Sequence, residues 1–231
     1  QVEDLLTFYE YVSGRRSRTV TGTWEEMEST KIFYNTFISA KLSLVNMIQD
    51  VAERVGNMNV DVVATALADS TYRIMGPAYM KPGMGDGGPC HPRDNIALRW
   101  LADKLDLGYD LFDSIMTARE VQAKNLAAEL VKHQLPVVIL GKSFKPGVSY
   151  TDGSYSMLVG HYCNEFGVEV SYDDLLDIPA TYLLGHNLVY NSTGMKDNSV
   201  VVDPWRAFST DNSTIKVVHY GNTRSTTNKN R

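Results

Sequence analysis

Cys90 closes a glycine-rich run, Lys81-Pro-Gly-Met-Gly-Asp-Gly-Gly-Pro-Cys90, just ahead of an apolar-periodic segment that reads as a helix. A thiolate at a helix start gains from unpaired amides and the helix dipole, and could serve as a covalent nucleophile. A lone cysteine also reads as a buried structural thiol. Asp94, four residues on, would lie near Cys90 either as a helix cap or as a general base for water. Lys31 and Asn35 are four apart on a long predicted helix and so share a face. Both could donate to one developing oxyanion, or both could be solvated. His91 beside Cys90 invites a thiol-hydrolase reading, but no protease motif accompanies it. No histidine pairs with another, or with a cysteine, at metal-ligand spacing. Lys142 and Lys145, in Leu140-Gly-Lys-Ser-Phe-Lys-Pro146, follow a strand-like run and could meet phosphates. Neither a Walker A sequence nor a G-x-G-x-x-G follows that strand.

The elements that must carry these residues are legible in turn. A helix is expected over 2–13 and a short strand over 18–23. Thr23 with Glu26 forms a capping box for a helix to about Val55, which Gly56 ends. Its apolar stripe, Tyr34, Ile38, Val45, Ile48, Ala52 and Val55, suits packing against another helix, including one from a second subunit. Shorter helices are expected over 59–69 and from near Asp94 to Leu107. A long one over 109–134, roughly 35–40 Å, would link two domains. From Pro136 the pattern becomes strand–loop–helix–strand, with strands over 137–140, 168–172, 180–184, 199–202 and 215–219. A helix over 154–166 would keep Cys163 in its core. This alternation argues for a parallel α/β sheet.

The 231 residues are 43% hydrophobic and 21% charged, with a net charge of −5. Those values suit a globular protein and argue against a broad nucleic-acid-binding surface. No apolar run reaches the roughly 20 residues of a membrane span. The absence of a signal sequence and the two distant cysteines read as a reduced cytoplasmic protein. The opening Gln1 reads as a fragment or a trimmed chain.

In order and spacing these segments resemble the UDP-glucose/GDP-mannose dehydrogenase family. The resemblance rests on Lys31-x-x-x-Asn35, on Gly87-Gly-Pro-Cys90-His-Pro-Arg-Asp94, on Leu140-Gly-Lys-Ser-Phe-Lys-Pro146, and on Val200-Val-Val-Asp203 and Val218-His-Tyr-Gly221. It implies oxidation of the C6 alcohol of an NDP-hexose, UDP-glucose foremost, to the uronate through a cysteine thioester, with NAD as the acceptor. It implies Cys90 as nucleophile, Lys31 and Asn35 as oxyanion donors, and Asp94 in proton transfer. Arg73, Tyr79, Lys81, Gly83, Gly85, Gly87, Phe144, Lys145 and Arg206 would bind the substrate. The implied architecture is a remnant of an NAD-binding domain at 1–23, a helical catalytic and dimerisation domain at 24–134, and a Rossmann-like nucleotide-sugar domain at 135–231. A homodimer is implied. Three positions depart from the family: Asp86 stands where an aromatic is usual, Asp152 where an Arg approaches NAD, and Trp205 where an Arg contacts the nucleotide sugar. The alternatives are a non-catalytic nucleotide-sugar-binding and dimerisation module, and a stand-alone thiol hydrolase.

Overall fold

The computed structural model describes residues 2–14, 19–71, 81–104 and 110–222, and its backbone gathers into two compact units, Gln1–Tyr34 and Asn35–Arg231. The first unit holds α1 (Val2–Ser13) and the opening turns of α2 (Trp24–Val55). α1 buries none of its residues, and Leu5, Phe8, Tyr9 and Val12 stand exposed. The strand expected over 18–23 is not formed at 19–23, which carry no regular structure. A strand needs a ladder partner for its backbone groups, and no pairing reaches these residues among those described. The capping box does form: the Thr23 amide donates to Glu26 Oε2 at 2.9 Å and the Glu26 amide to Thr23 Oγ1 at 3.3 Å.

In the second unit α2 runs to Val55 and ends at Gly56, whose φ of +73° lies in the left-handed region that glycine favours. α3 (Val60–Ala68) starts under Asn59, whose side chain accepts from the Asp61 amide at 2.8 Å. α4 (Cys90–Lys104) begins four residues earlier than expected. Pro92 falls in its first turn, where a missing N–H loses no helical bond. α5 (Leu111–Val131) starts under Asp110, which accepts from the Asp113 amide at 2.9 Å. It is about 31 Å long at 1.5 Å per residue, and shorter than expected because Lys132 caps it and Gln134 turns to φ +56°.

Beyond it come β1 (Val137–Leu140), α6 (Tyr155–Glu165), β2 (Val170–Tyr172), β3 (Thr181–Leu184), β4 (Val200–Asp203) and β5 (Lys216–His219). The strands form one fully parallel sheet in the order β2-β1-β3-β4-β5. Both faces are covered, which is why the strands read as continuous apolar runs. Val137, Ile139, Leu183, Val200 and Val202 face α5 and α6, meeting Leu126, Leu130, Val159 and Cys163. Val138, Tyr182, Leu184 and Val201 face the opposite way, onto Met195, Phe208 and Ile215. The second cover is made of connecting segments rather than helices. β1 is followed in the chain by β2 on one side and bordered by β3 on the other. The sheet order therefore reverses at β1, which opens a crevice at the carboxyl ends of β1 and β3.

Candidate active site

The glycine loop is shaped by what it packs against. A Cβ on Gly83 would stand 2.4 Å from the Trp205 ring, one on Gly85 2.1 Å from the Tyr155 ring, and one on Gly87 2.7 Å from the Phe144 carbonyl oxygen. The Gly88 amide donates to the Gly153 carbonyl at 3.1 Å. The loop is thus clamped between the turn after β1 and the start of α6, and it delivers Cys90 to the first turn of α4.

Cys90 is half-buried. Asp94, one turn along α4, is 5% exposed at its side chain. Its Oδ2 accepts from Asn35 Nδ2 of α2 at 2.7 Å, and its Oδ1 accepts from Arg93 Nε and Nη2 at 3.0 and 2.8 Å. Because α4 begins at Cys90, Asp94 is not its cap; both its oxygens serve side chains. The Arg93 guanidinium is pushed above its ordinary range, first by its hydrogen bond and charge pairing with Asp94 and further by Cys90. Tyr150 is pushed up by its hydrogen bond to Asp152, then by burial, by the Asp152 charge and by the charge of Cys90. Lys31 sits on α2 within the first unit, four residues ahead of Asn35.

A cavity of about 230 Å³ lies beside this loop at the crevice, lined by Gly85, Gly87, Phe144, Lys145, His186 and Trp205 among others. Lys81 donates to Asn187, also on the wall, at 3.4 Å. The structure thus brings Gly85, Gly87, Phe144 and Lys145 together, with Lys81 reaching a wall residue and Gly83 under the Trp205 ring. Arg73 and Tyr79 lie outside the described residues. Arg206, also expected at the substrate, does not line this cavity. Its side chain is 2% exposed and donates from Nε to Asp61 at 2.6 Å and from Nη2 to the Pro82 carbonyl at 2.7 Å. Nη1 adds Gln49, the Tyr220 carbonyl and the Pro204 carbonyl. A guanidinium with its donors directed at these protein acceptors ties sheet, α2, α3 and glycine loop together.

His186 and Trp205 complete the wall. His186 Nε2 lies 2.9 Å from the Ser143 carbonyl and must donate to it, because a carbonyl only accepts. Trp205 Nε1 donates to the Leu184 carbonyl at 2.8 Å. The signal for His186 was its position just past a parallel strand that borders the switch point. A larger cavity, about 440 Å³, shares Ser143, Pro146 and His186 with the first. There Asp173 accepts from the amides of Gly141 and Lys142 at 2.5 and 3.1 Å. Those are the amides that a dinucleotide pyrophosphate would use in the first turn of such a sheet, so this turn does not fit NAD. Among the described residues no cluster of His, Cys, Asp and Glu could hold a metal ion, and no helix is long and apolar enough to cross a membrane.

Residues 25–121 match the family model described as the UDP-glucose/GDP-mannose dehydrogenase family, central domain. UDP-glucose 6-dehydrogenase TuaD of Bacillus subtilis (strain 168) is 28% identical over 173 residues, 72% of this chain and 37% of that protein. GDP-mannose 6-dehydrogenase of Pseudomonas putida is 34% identical over 125 residues, 53% of this chain and 28% of that protein. The chain therefore matches well under half the length of these curated relatives. In three dimensions a UDP-glucose dehydrogenase from Pyrobaculum islandicum superposes with a TM-score of 0.72 at 21% identity, covering 93% of this chain and 55% of that one. A UDP-D-ManNAc dehydrogenase from Pyrococcus horikoshii gives 0.69 at 18% identity, covering 96% and 59%. The fold is the α/β fold of those enzymes, and residues 25–121 match the central domain of the UDP-glucose/GDP-mannose dehydrogenase family.

Proposed function

We propose that this chain supplies the nucleophile and the sugar-nucleotide cradle of an NDP-hexose 6-dehydrogenase, with UDP-glucose as substrate. The observation that carries this reading is the Asn35–Asp94 hydrogen bond, 2.7 Å across 59 positions of sequence, one helical turn from Cys90. It joins an amide donor on α2 to a carboxylate on the helix that Cys90 opens. Asn35 Nδ2 carries two protons; one is committed to Asp94 and the other is left for an oxyanion on the substrate. Cys90 adds its sulfur to the C6 aldehyde carbon, and Lys31 shares the charge that develops on the oxygen. Asp94, held by Asn35 and Arg93, takes the proton of the water that later releases the acid. Lys81, Lys145 and Phe144 hold the diphosphate and nucleoside, with the loop glycines against the sugar. Arg73 and Tyr79, outside the described residues, are assigned to substrate binding in the same reading.

Oxidation of the alcohol to the aldehyde, and of the thiohemiacetal formed by Cys90 to the thioester, each releases a hydride, and both need an acceptor. NAD fills that role in this reading, held by a part of the relatives that this chain does not match. The segment at 1–23 is read as the end of that NAD-binding domain, 24–134 as the catalytic and dimerisation domain, and 135–231 as the nucleotide-sugar domain. Exposed Phe33, Tyr34 and Phe37 on α2 suit a homodimer, and the compartment is the cytoplasm. Asp152 in place of an Arg and Trp205 on the cavity wall favour, as a second reading, a non-catalytic sugar-nucleotide-binding module.

The test uses the protein at its natural full length with UDP-glucose and NAD. Cys90→Ser should lose uronate formation while its UDP-glucose affinity stays within about twofold. Unchanged uronate formation by Cys90→Ser would overturn the catalytic reading. Binding without turnover by the native protein would select the module.

A further inference from the structure

Asp86 and Arg119 are a buried ion pair that the proposed chemistry does not use. Their side chains are 5% and 9% exposed, and Arg119 Nε donates to Asp86 Oδ1 at 2.6 Å. Arg119 comes from α5, and its backbone carbonyl accepts from the Tyr155 hydroxyl at 3.2 Å. The other oxygen of Asp86, Oδ2, faces Ser39 Oγ of α2 at 3.4 Å, and Ser39 Oγ lies 2.7 Å from His91 Nδ1. Ser39 is 1% exposed. Four residues from three helices and the glycine loop thus form one chain that ends beside Cys90.

The direction of that chain follows from its end. An ionised carboxylate only accepts, and Arg119 only donates. Among the described residues Ser39 is the donor available to Asp86 Oδ2, and a buried carboxylate oxygen without a donor is costly. Ser39 has one hydroxyl proton, so spending it on Asp86 leaves its lone pairs facing His91. His91 Nδ1 must then be the donor to Ser39. We infer that the Asp86–Arg119 pair, through Ser39, sets the tautomer and ring position of His91, holding its proton on Nδ1 and leaving Nε2 as the accepting nitrogen of the residue that follows Cys90 in the chain. His91 and Asp86 are positioning residues here. The link to reactivity rests on the proposed role of Cys90, whereas the tautomer itself does not.

The test is long-range proton–nitrogen correlation of the imidazoles in the 15N-labelled chain at a pH of about 8.5, above the ordinary histidine range. His91 should carry its proton on Nδ1. In the double variant Asp86→Leu/Arg119→Leu neither charge is left buried alone, so the fold should hold. With the carboxylate gone, Ser39 is released to donate to His91, and the proton should move to Nε2. Alkylation of Cys90 should change by at least about threefold in the same variant, since thiol reactivity follows its surroundings. Ser39→Ala breaks the relay without touching the ion pair and should also release the tautomer, which keeps the idea testable if the double variant does not fold. An Nε2 proton on His91 in the native chain, or an Nδ1 proton that survives in both variants, overturns the inference. Loss of dehydrogenation in Cys90→Ser bears on the proposed function alone.

Discussion

Gly153 stands so close to Gly88 that a Cβ added to it would lie 2.3 Å from the Gly88 carbonyl carbon, and the Gly153 carbonyl accepts from the Gly88 amide at 3.1 Å. Backbone against backbone cannot yield by a rotamer change, and Gly153 also holds φ +71°. Gly153→Ala should therefore cost at least about 2 kcal/mol in urea unfolding. Gly147→Ala, at φ +76° with open space around it, isolates the dihedral effect and should cost only about 1 kcal/mol. Equal costs for the two would mean that the loop clamp contributes nothing.

Arg206 and Lys145 should separate cleanly, although both were expected at the substrate. Arg206→Met removes a buried cation with five acceptors and should lower stability by about 3 kcal/mol. Lys145→Ala, at a cavity wall, should leave stability within about 0.5 kcal/mol while weakening UDP-glucose binding. Calorimetric unfolding and binding titrations on the two variants decide the matter; a stable Arg206→Met with lost binding would return Arg206 to the substrate.

The two thiols should react in order. Cys163 is fully buried, and burial pushes its pKa up to about 11, so almost none of it is thiolate near neutral pH. Cys90 is half-buried at the first turn of α4. Iodoacetamide should modify Cys90 first, with Cys163 reacting only on unfolding. Mass spectrometry of partially labelled chain reads this directly, and Cys163 labelling at a matching rate would contradict it.

Asp203 should make the fold acid-sensitive. Burial raises its pKa, but His219 and the amides of Phe208, Trp205 and Ala207 outweigh that and hold the carboxyl below its ordinary value. A depressed folded pKa stabilises above the ordinary aspartate range, and that contribution is lost as pH falls through the folded value. Denaturant midpoints should therefore drop as pH is lowered below about 4. In Asp203→Asn that part of the slope should flatten, with neutral-pH stability lower by roughly 2–3 kcal/mol. A slope unchanged by the substitution would assign the acid sensitivity elsewhere.

Most element boundaries were present in the sequence because their causes are local. The Thr23–Glu26 box, the Asn59, Asp110 and Ser154 caps and the stop at Gly56 act within about one helical turn, so short spacings suffice to read them. The apolar runs of β1, β3 and β4 announced a sheet buried on both faces. The motif residues announced Cys90, Asp94 and Asn35 as candidates. Tertiary structure decided what each side chain meets. It placed Asn35 on Asp94, gave Asp86 its Arg119, turned Arg206 inward, seated Gly83 under Trp205 and left 19–23 without a ladder. Each side-chain outcome depends on a partner tens of residues away, brought near only by the tertiary packing of the second unit. A polar side chain's role is settled by the acceptors and charges that packing delivers to it, and one-dimensional spacing carries no record of them.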